Sequence, residues 1–225
     1  MKLYWCPQTR SSRVVWLLEE LGLDYERMTV DLREPDGRNV PGFAQASPMG
    51  KVPALEDGAV RVADSAAICL YLADRYGDGL APAVDAAERG RFLYWMFFSP
   101  STMEPAMAEK MGRWQTNTGA YGWGDFDRMM TTLEGGLAPG PWLLGERFSA
   151  ADVMVGSTAA FMRMFDILPD SASVNGYVDR GLARPADQTA LALDRAPCAR
   201  RRHPRRRQQS EDSTGAARPS GLPRA

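Results

Sequence analysis

At 225 residues, with 44% hydrophobic residues and a formal charge of −1, the chain is long enough for one compact body or two small domains and apolar enough to build a core. Cys6, Cys69 and Cys198 are too few and too widely spaced for a disulfide framework or a structural zinc site, and the one histidine, His203, lies in an Arg/Pro tract; serine-histidine hydrolysis and zinc catalysis are thereby disfavoured. No stretch approaches the roughly 18 apolar residues of a membrane span, and Met1–Trp5 is too short for a secretory signal, so a cytoplasmic location is expected, with neither membrane nor nucleic acid as partner.

Lys2 to Cys6 reads as a short strand. Ser12 to Leu21 reads as an amphipathic helix, with Val14, Val15, Leu17, Leu18 and Leu21 facing inward and Gly22 stopping it. A strand over Tyr25 to Val30 follows, and strand–helix–strand order implies a parallel pair with a crossover helix. After a loop and weak helix over Arg33 to Ala46, strands over Ala54–Glu56 and Val60–Val62 flank Asp57-Gly58, a hairpin signal. A helix from Ser65 to Tyr76 completes a βαβ-ββα order within residues 1–78, and Gly77 to Ala83, rich in Gly and Pro, reads as a linker.

From Val84 onward strand signals vanish. Helical periodicity runs near Asp85–Trp114, Trp123–Leu137, Ser149–Asp166 and Ser171–Ala192, an all-helical second domain over 84–194. Ser149-Ala150-Ala151-Asp152 has the S-x-x-D form of a capping box, which makes Asp152 structural rather than catalytic. Residues 195–225 differ in kind, with nine Arg against one Glu and one Asp, while the remainder holds 18 basic and 26 acidic residues. The prolines, the block Arg200–Arg207 and the lack of apolar periodicity predict disorder there. An arm for an anionic partner is one reading; the preferred one is a neutral tail or a shifted reading frame in a GC-rich coding sequence.

The chemistry concentrates in Gly50-Lys51-Val52-Pro53-Ala54-Leu55 and Asp64-Ser65-Ala66-Ala67-Ile68. Val52 before Pro53 favours an extended backbone, and a proline that cannot donate to a ladder suits a bend or strand edge. In a cis arrangement the N–H and C=O of Val52 face outward and can pair with a bound peptide. Asp64 and Ser65 precede an apolar helical pattern, where free N–H groups and the positive helix end suit a ligand carboxylate.

These motifs resemble the thioredoxin-like half of the glutathione S-transferase family, and the resemblance extends over about residues 1–194. It implies an α/β thioredoxin-like N-terminal domain followed by an all-α helical bundle, a homodimer, and glutathione as co-substrate with no other cofactor and no metal. Carried onto this chain, Val52 before Pro53 pairs with the cysteinyl backbone of glutathione, and Asp64 and Ser65 hold its γ-glutamyl end, with Asp a methylene shorter than the usual Glu. Lys51 is the candidate donor to the glycyl carboxylate.

A transferase must favour the thiolate of glutathione, because a free thiol titrates near about 8.5. Lowering that value by about two units needs about 2.7 kcal/mol. One hydrogen bond to the charged sulfur supplies about 1.5–3 and a helix N-terminus about 0.3–1 kcal/mol, so a hydroxyl at the start of the first helix nearly suffices. Thr9 is the first candidate and Ser11 the second, with Arg10 adding positive charge. Gln8 has no hydroxyl where several family classes carry one, and Arg10 stands where the bacterial beta class carries a reactive Cys. Cys6-Pro7-Gln8-Thr9 also resembles the Cys-Pro-x-Cys/Thr of glutaredoxins, which gives a Cys6-dependent thiol-disulfide reductase as an alternative; a catalytically silent glutathione-binding protein is another. Cys69 reads as core. For a small apolar electrophile, the aromatic and Met-rich stretch from Phe92 to Trp114 offers Phe98, Met103 and Trp114.

Overall fold

The computed structural model describes residues 1–77, 79–115 and 117–195, so the tail reading lies, apart from Arg195, outside the described residues. The first half contains β1 (Lys2–Trp5), α1 (Ser11–Glu20), β2 (Glu26–Thr29), α2 (Phe43–Ala46), β3 (Ala54–Asp57), β4 (Val60–Ala63) and α3 (Ser65–Tyr76). They form a mixed sheet in the order β2-β1-β3-β4. β1 is parallel to β2 and antiparallel to β3, so Tyr4 lies beside both Met28 and Ala54. Period-two alternation divides the central strand between two cores. Leu3 and Trp5 join the large apolar cluster with α1 and α3, whereas Tyr4 joins a smaller one with Val30, Phe43, Ala46 and Ala54.

The weak helix expected over Arg33 to Ala46 contracts to the four residues Phe43–Ala46. Pro35 and Pro41 withhold backbone donors, and Gly42 turns left-handed at φ 83°. The hairpin also forms one residue later than Asp57-Gly58 suggests: Asp57 still pairs with Val60, leaving Gly58 at φ 60° and Ala59 as the loop.

The second half is helical: α4 (Arg89–Phe98), a π-helical turn (Ser99–Met103), α5 (Glu104–Gly112), α6 (Phe126–Leu137), α7 (Ala150–Met164), α8 (Ala172–Leu182) and α9 (Pro185–Arg195). Two expected helices are therefore interrupted. The run Asp85–Trp114 carries the wider turn at Ser99–Met103, where Pro100 has no amide hydrogen for the regular ladder. The run Ser171–Ala192 divides at Pro185, which cannot continue α8 and instead opens α9, where a missing N–H costs nothing. The described helix thus starts anew at Pro185 and reaches Arg195.

α7 runs through the middle of this half, with Val153, Met154, Val155, Ala159 and Met162 fully buried. Its first turn has the capping box read from the sequence: the Ser149 side chain serves the third helical amide while the Asp152 carboxylate accepts the Ser149 N–H. α1 packs against α3, α7 and α9 together. One continuous apolar cluster, from Leu3 to Ala190, consequently spans both halves.

Candidate functional site

The peptide bond between Val52 and Pro53 is cis. Just before it, the buried Ser47 holds Lys51 from both sides, its hydroxyl donating to the Lys51 carbonyl at 2.7 Å and accepting the Lys51 N–H at 3.0 Å. Val52 itself makes no main-chain hydrogen bond among the described residues. An unpaired N–H and C=O on a partly buried residue form an open edge for an added peptide. Lys51 is exposed beside it.

The start of α3 lies after β4, the strand beside β3. Asp64 caps α3: its Oδ1 accepts Ala66 N–H at 2.9 Å and Ala67 N–H at 3.3 Å. That acceptance occupies one carboxylate oxygen and leaves the Ser65 N–H without a partner among the described residues. Asp64 has φ 78°, a left-handed value that is costly for a residue with a Cβ and that persists where the surroundings over-determine it. Nothing in the sequence signals this backbone shape.

Turn residues 6–10 carry the thiol-activating candidates. The Thr9 hydroxyl lies 2.7 Å from the Cys6 carbonyl and 3.0 Å from Ser11 Oγ, and its oxygen accepts the Ser11 N–H at 3.2 Å. It therefore stabilises the entry to α1, and its one proton is directed into the turn. Ser11 is fully buried. Its Oγ accepts the Cys6 N–H at 3.4 Å, so it acts from inside the fold. Cys6 is also buried, with Arg33 Nη1 at 3.9 Å from its sulfur. Cys69 is enclosed in the core, where burial pushes its thiol up to about 12.

Arg10 and Arg13 converge on one acid. Glu104, at the start of α5, meets Arg13 Nη1 at 2.7 Å and Arg10 Nη2 at 3.3 Å. Both guanidinium groups also lie over the Phe161 ring, at 5.9 and 5.8 Å. Arg13 is buried. Its Nη1 reaches Ser65 Oγ at 3.4 Å and its Nη2 donates to Thr158 Oγ1 at 2.9 Å, while Thr158 also meets Ser99 Oγ at 2.7 Å. Burial draws the Arg13 pKa below its ordinary value, opposed by Glu104. A charge from α1 is thus held behind Ser65 by groups of the helical half. Arg13, Glu104, Thr158 and Phe161 were not singled out by sequence, because only the docking of α1 against α5 and α7 brings them together.

Among the electrophile candidates, Phe98 and Met103 lie in the core at 4% and 0% exposure, whereas Trp114 is 55% exposed beyond the end of α5. The three do not share one surface. Helical periodicity gave them a common stretch, but the π-helical turn between Phe98 and Glu104 shifts the register of α5 relative to α4.

Two family models cover most of the chain: the glutathione S-transferase N-terminal domain matches residues 5–75 and the C-terminal domain matches 73–180. Arabidopsis thaliana glutathione S-transferase Z2 is 31% identical over 202 residues, covering 84% of this chain and 88% of that protein. The chain belongs to the glutathione S-transferase family.

Other likenesses fill in the picture. The disulfide-bond oxidoreductase YfcG of Escherichia coli (strain K12) is 28% identical over 211 residues, which is 84% of this chain and 93% of that one. Glutathione S-transferase 3 of Schizosaccharomyces pombe (strain 972 / ATCC 24843) is 38% identical over 104 residues, and this match spans 46% of the present transferase and 42% of the yeast protein. Among solved structures, a ternary complex of the bacterial transferase BphK superposes with a TM-score of 0.72 at 27% identity, covering 86% of this chain and 99% of that one. A sphingomonad glutathione S-transferase complexed with glutathione gives 0.69 at 27% identity, covering 86% and 98%. The present transferase accordingly has the thioredoxin-like half and helical half of its family, and among its described residues no helix is long and apolar enough to cross a membrane.

Proposed function

We propose that this transferase activates the thiol of glutathione for attack on a small apolar electrophile or an organic peroxide, in the cytoplasm and as a homodimer. The observation that carries the reading is the unpaired Val52 main chain at a cis-proline bend, in the same half as the open Ser65 N–H at the start of α3. A γ-linked tripeptide offers the complements: a peptide backbone for Val52 and an α-carboxylate for Ser65. Arg13, at 3.4 Å from Ser65 Oγ, adds positive charge behind the carboxylate, and Lys51 is the nearby cation for the glycyl end. No metal and no cofactor beyond glutathione enters this scheme.

With an aryl halide, the thiolate forms the carbon–sulfur bond, halide leaves with the electron pair, and the thiol proton passes to solvent. With a peroxide, sulfur takes one oxygen, an alcohol leaves, and a second glutathione converts the sulfenic acid to the disulfide and water. Thr9 lends its proton to the developing thiolate by turning from the Cys6 carbonyl, and Arg10 supplies positive charge beside it. The test is retention on immobilised glutathione together with turnover of an activated aryl halide; Ser65→Pro, which removes the N–H at a first helical position that tolerates proline, should weaken glutathione binding about tenfold, the scale of one hydrogen bond to a charged group. Retention with no turnover of any halide or peroxide would instead mark a silent binding protein.

The oxidoreductase relative gives disulfide reduction as a second reading. Cys6 is 1% exposed, which disfavours a mixed disulfide at that sulfur, so Cys6→Ser should leave any reductase activity intact. The dimer would form on α3 and α4. There Leu70, Tyr71, Arg75 and Phe97 border a shallow cavity of about 490 Å³, and Phe97 and Tyr94 expose 43% and 52% of their surface. Phe97→Glu should shift the protein to a monomer in light scattering.

A further inference from the structure

Gln8 lies in the turn between β1 and α1, next to Thr9, and its backbone is left-handed at φ 59°. A residue with a Cβ keeps that conformation only when its neighbours impose it. Two contacts do so here. Arg33 Nη2 donates to Gln8 Oε1 at 3.3 Å, and the Gln8 N–H donates to Asp194 Oδ1 at 2.8 Å, across 186 residues of chain.

Asp194 is placed by the docking of α9 on α1. Asp187, Ala190 and Asp194 recur at helical spacing on one face of α9, the first two of them buried. Arg184 anchors the start of that face, its Nε and Nη2 donating to the two carboxylate oxygens of Glu20 at 2.5 and 2.7 Å. The far end of α9 then reaches the opposite end of α1, where the turn begins. A carboxylate that accepts an amide N–H makes a charge-assisted bond, stronger than a neutral one. Burial raises the Asp194 pKa and the Gln8 N–H lowers it, as expected of an acid taken partly from water to serve one donor.

We propose that Asp194 is a positioning residue for thiol activation: by accepting the Gln8 N–H it fixes the turn that presents Thr9 and Arg10, so that the last described helix sets the geometry of the first loop. The inference rests on the glutathione-transferase reading. It differs from a general stabilising role, because it acts through one acceptor oxygen, which Asn also has.

The full chain and its Asp194→Ala and Asp194→Asn variants test this. Glutathione affinity is measured by calorimetry, the pKa of the bound thiol by thiolate ultraviolet absorbance, and kcat and KM with an activated aryl halide. Asp194→Ala should raise the bound thiol pKa by about one unit and lower kcat about threefold at pH 7, with glutathione affinity weakened by no more than the same factor of about three, which linkage to the thiol pKa requires. Asp194→Asn should restore both. Unchanged pKa and kcat in Asp194→Ala would overturn the proposal, as would an Asn variant as impaired as Ala, or losses that merely follow the unfolded fraction in thermal melts. A wild-type protein that neither binds nor turns over glutathione would instead remove the underlying reading. Wild-type turnover with an indifferent Asp194→Ala removes this inference alone.

Discussion

Truncating Asp152 to Ala tests how far a buried acid organises the helical half. Its Oδ1 accepts the Leu143 N–H at 2.9 Å and the Tyr177 hydroxyl at 3.2 Å, and its Oδ2 accepts the Ser149 N–H at 2.9 Å and the Ser149 hydroxyl at 3.1 Å. Alanine leaves the two amides buried without this acceptor, while the phenol keeps the Asp152 carbonyl at 3.3 Å and the serine hydroxyl can rotate. At about 1–3 kcal/mol for each stranded amide and about 1 kcal/mol for the phenol's lost bond, the gross loss is about 5 kcal/mol. Against it stands the cost of keeping a charge there, since burial raises the Asp152 pKa from 3.8 to about 6, against the pull of its donors. At about 1.4 kcal/mol per unit this penalty is about 3 kcal/mol. The folded protein holds a proton that the unfolded chain releases between those two values. The Asp152 contribution is therefore greatest below pH 3.8 and is lost as pH rises through about 6. Asp152→Ala should cost about 2 kcal/mol at pH 7.5 and about 4 kcal/mol at pH 4.5. Urea unfolding followed by tryptophan fluorescence at both pH values measures the difference. A loss that is equal or smaller at pH 4.5 would refute the argument.

Asp187 provides a contrasting acid. It is 6% exposed, its Oδ2 has no hydrogen-bond partner among the described residues, and burial with the nearby Glu20 charge raises its pKa from 3.8 to about 6. Its charged form opposes folding above pH 6, so Asp187→Asn should stabilise the protein by about 1–3 kcal/mol at pH 7.5 and change little near pH 4; equal effects at both pH values would contradict this. Glu104→Gln removes the counter-charge of buried Arg13 and should lower stability by about 2–4 kcal/mol in urea titrations, a loss under about 1 kcal/mol meaning that Ser65 and Thr158 suffice for the guanidinium. Thr9→Val keeps the shape but loses the cap on Ser11 N–H and the proton. It should cost about 1 kcal/mol of stability together with most of kcat, while Thr9→Ser retains both; full turnover in Thr9→Val would leave Thr9 as a cap alone.

Local chemistry is legible in the residues themselves. The Ser149–Asp152 capping box closes between neighbours in sequence, and Ser65–Tyr76 runs from an Asp cap to the glycine just after it. The division at Pro185 was also open to reading, since proline withholds a donor wherever it stands, yet the apolar periodicity on either side masked it. Phe98, Met103 and Trp114 show the limit of periodicity: it groups residues on a helix face but does not say what covers that face.

By itself the sequence determined the two-part architecture, the Ser149 capping box, and the pairing of a Val-Pro bend with an Asp-Ser helix start, because each depends on residues within a few positions of one another. Only the tertiary structure decided that Arg13 is buried against Glu104, that the Thr9 proton turns inward, and that Asp194 reaches Gln8. Those contacts join distant segments. They exist because one apolar core draws both halves together and leaves each buried polar group to find whatever partner that docking provides.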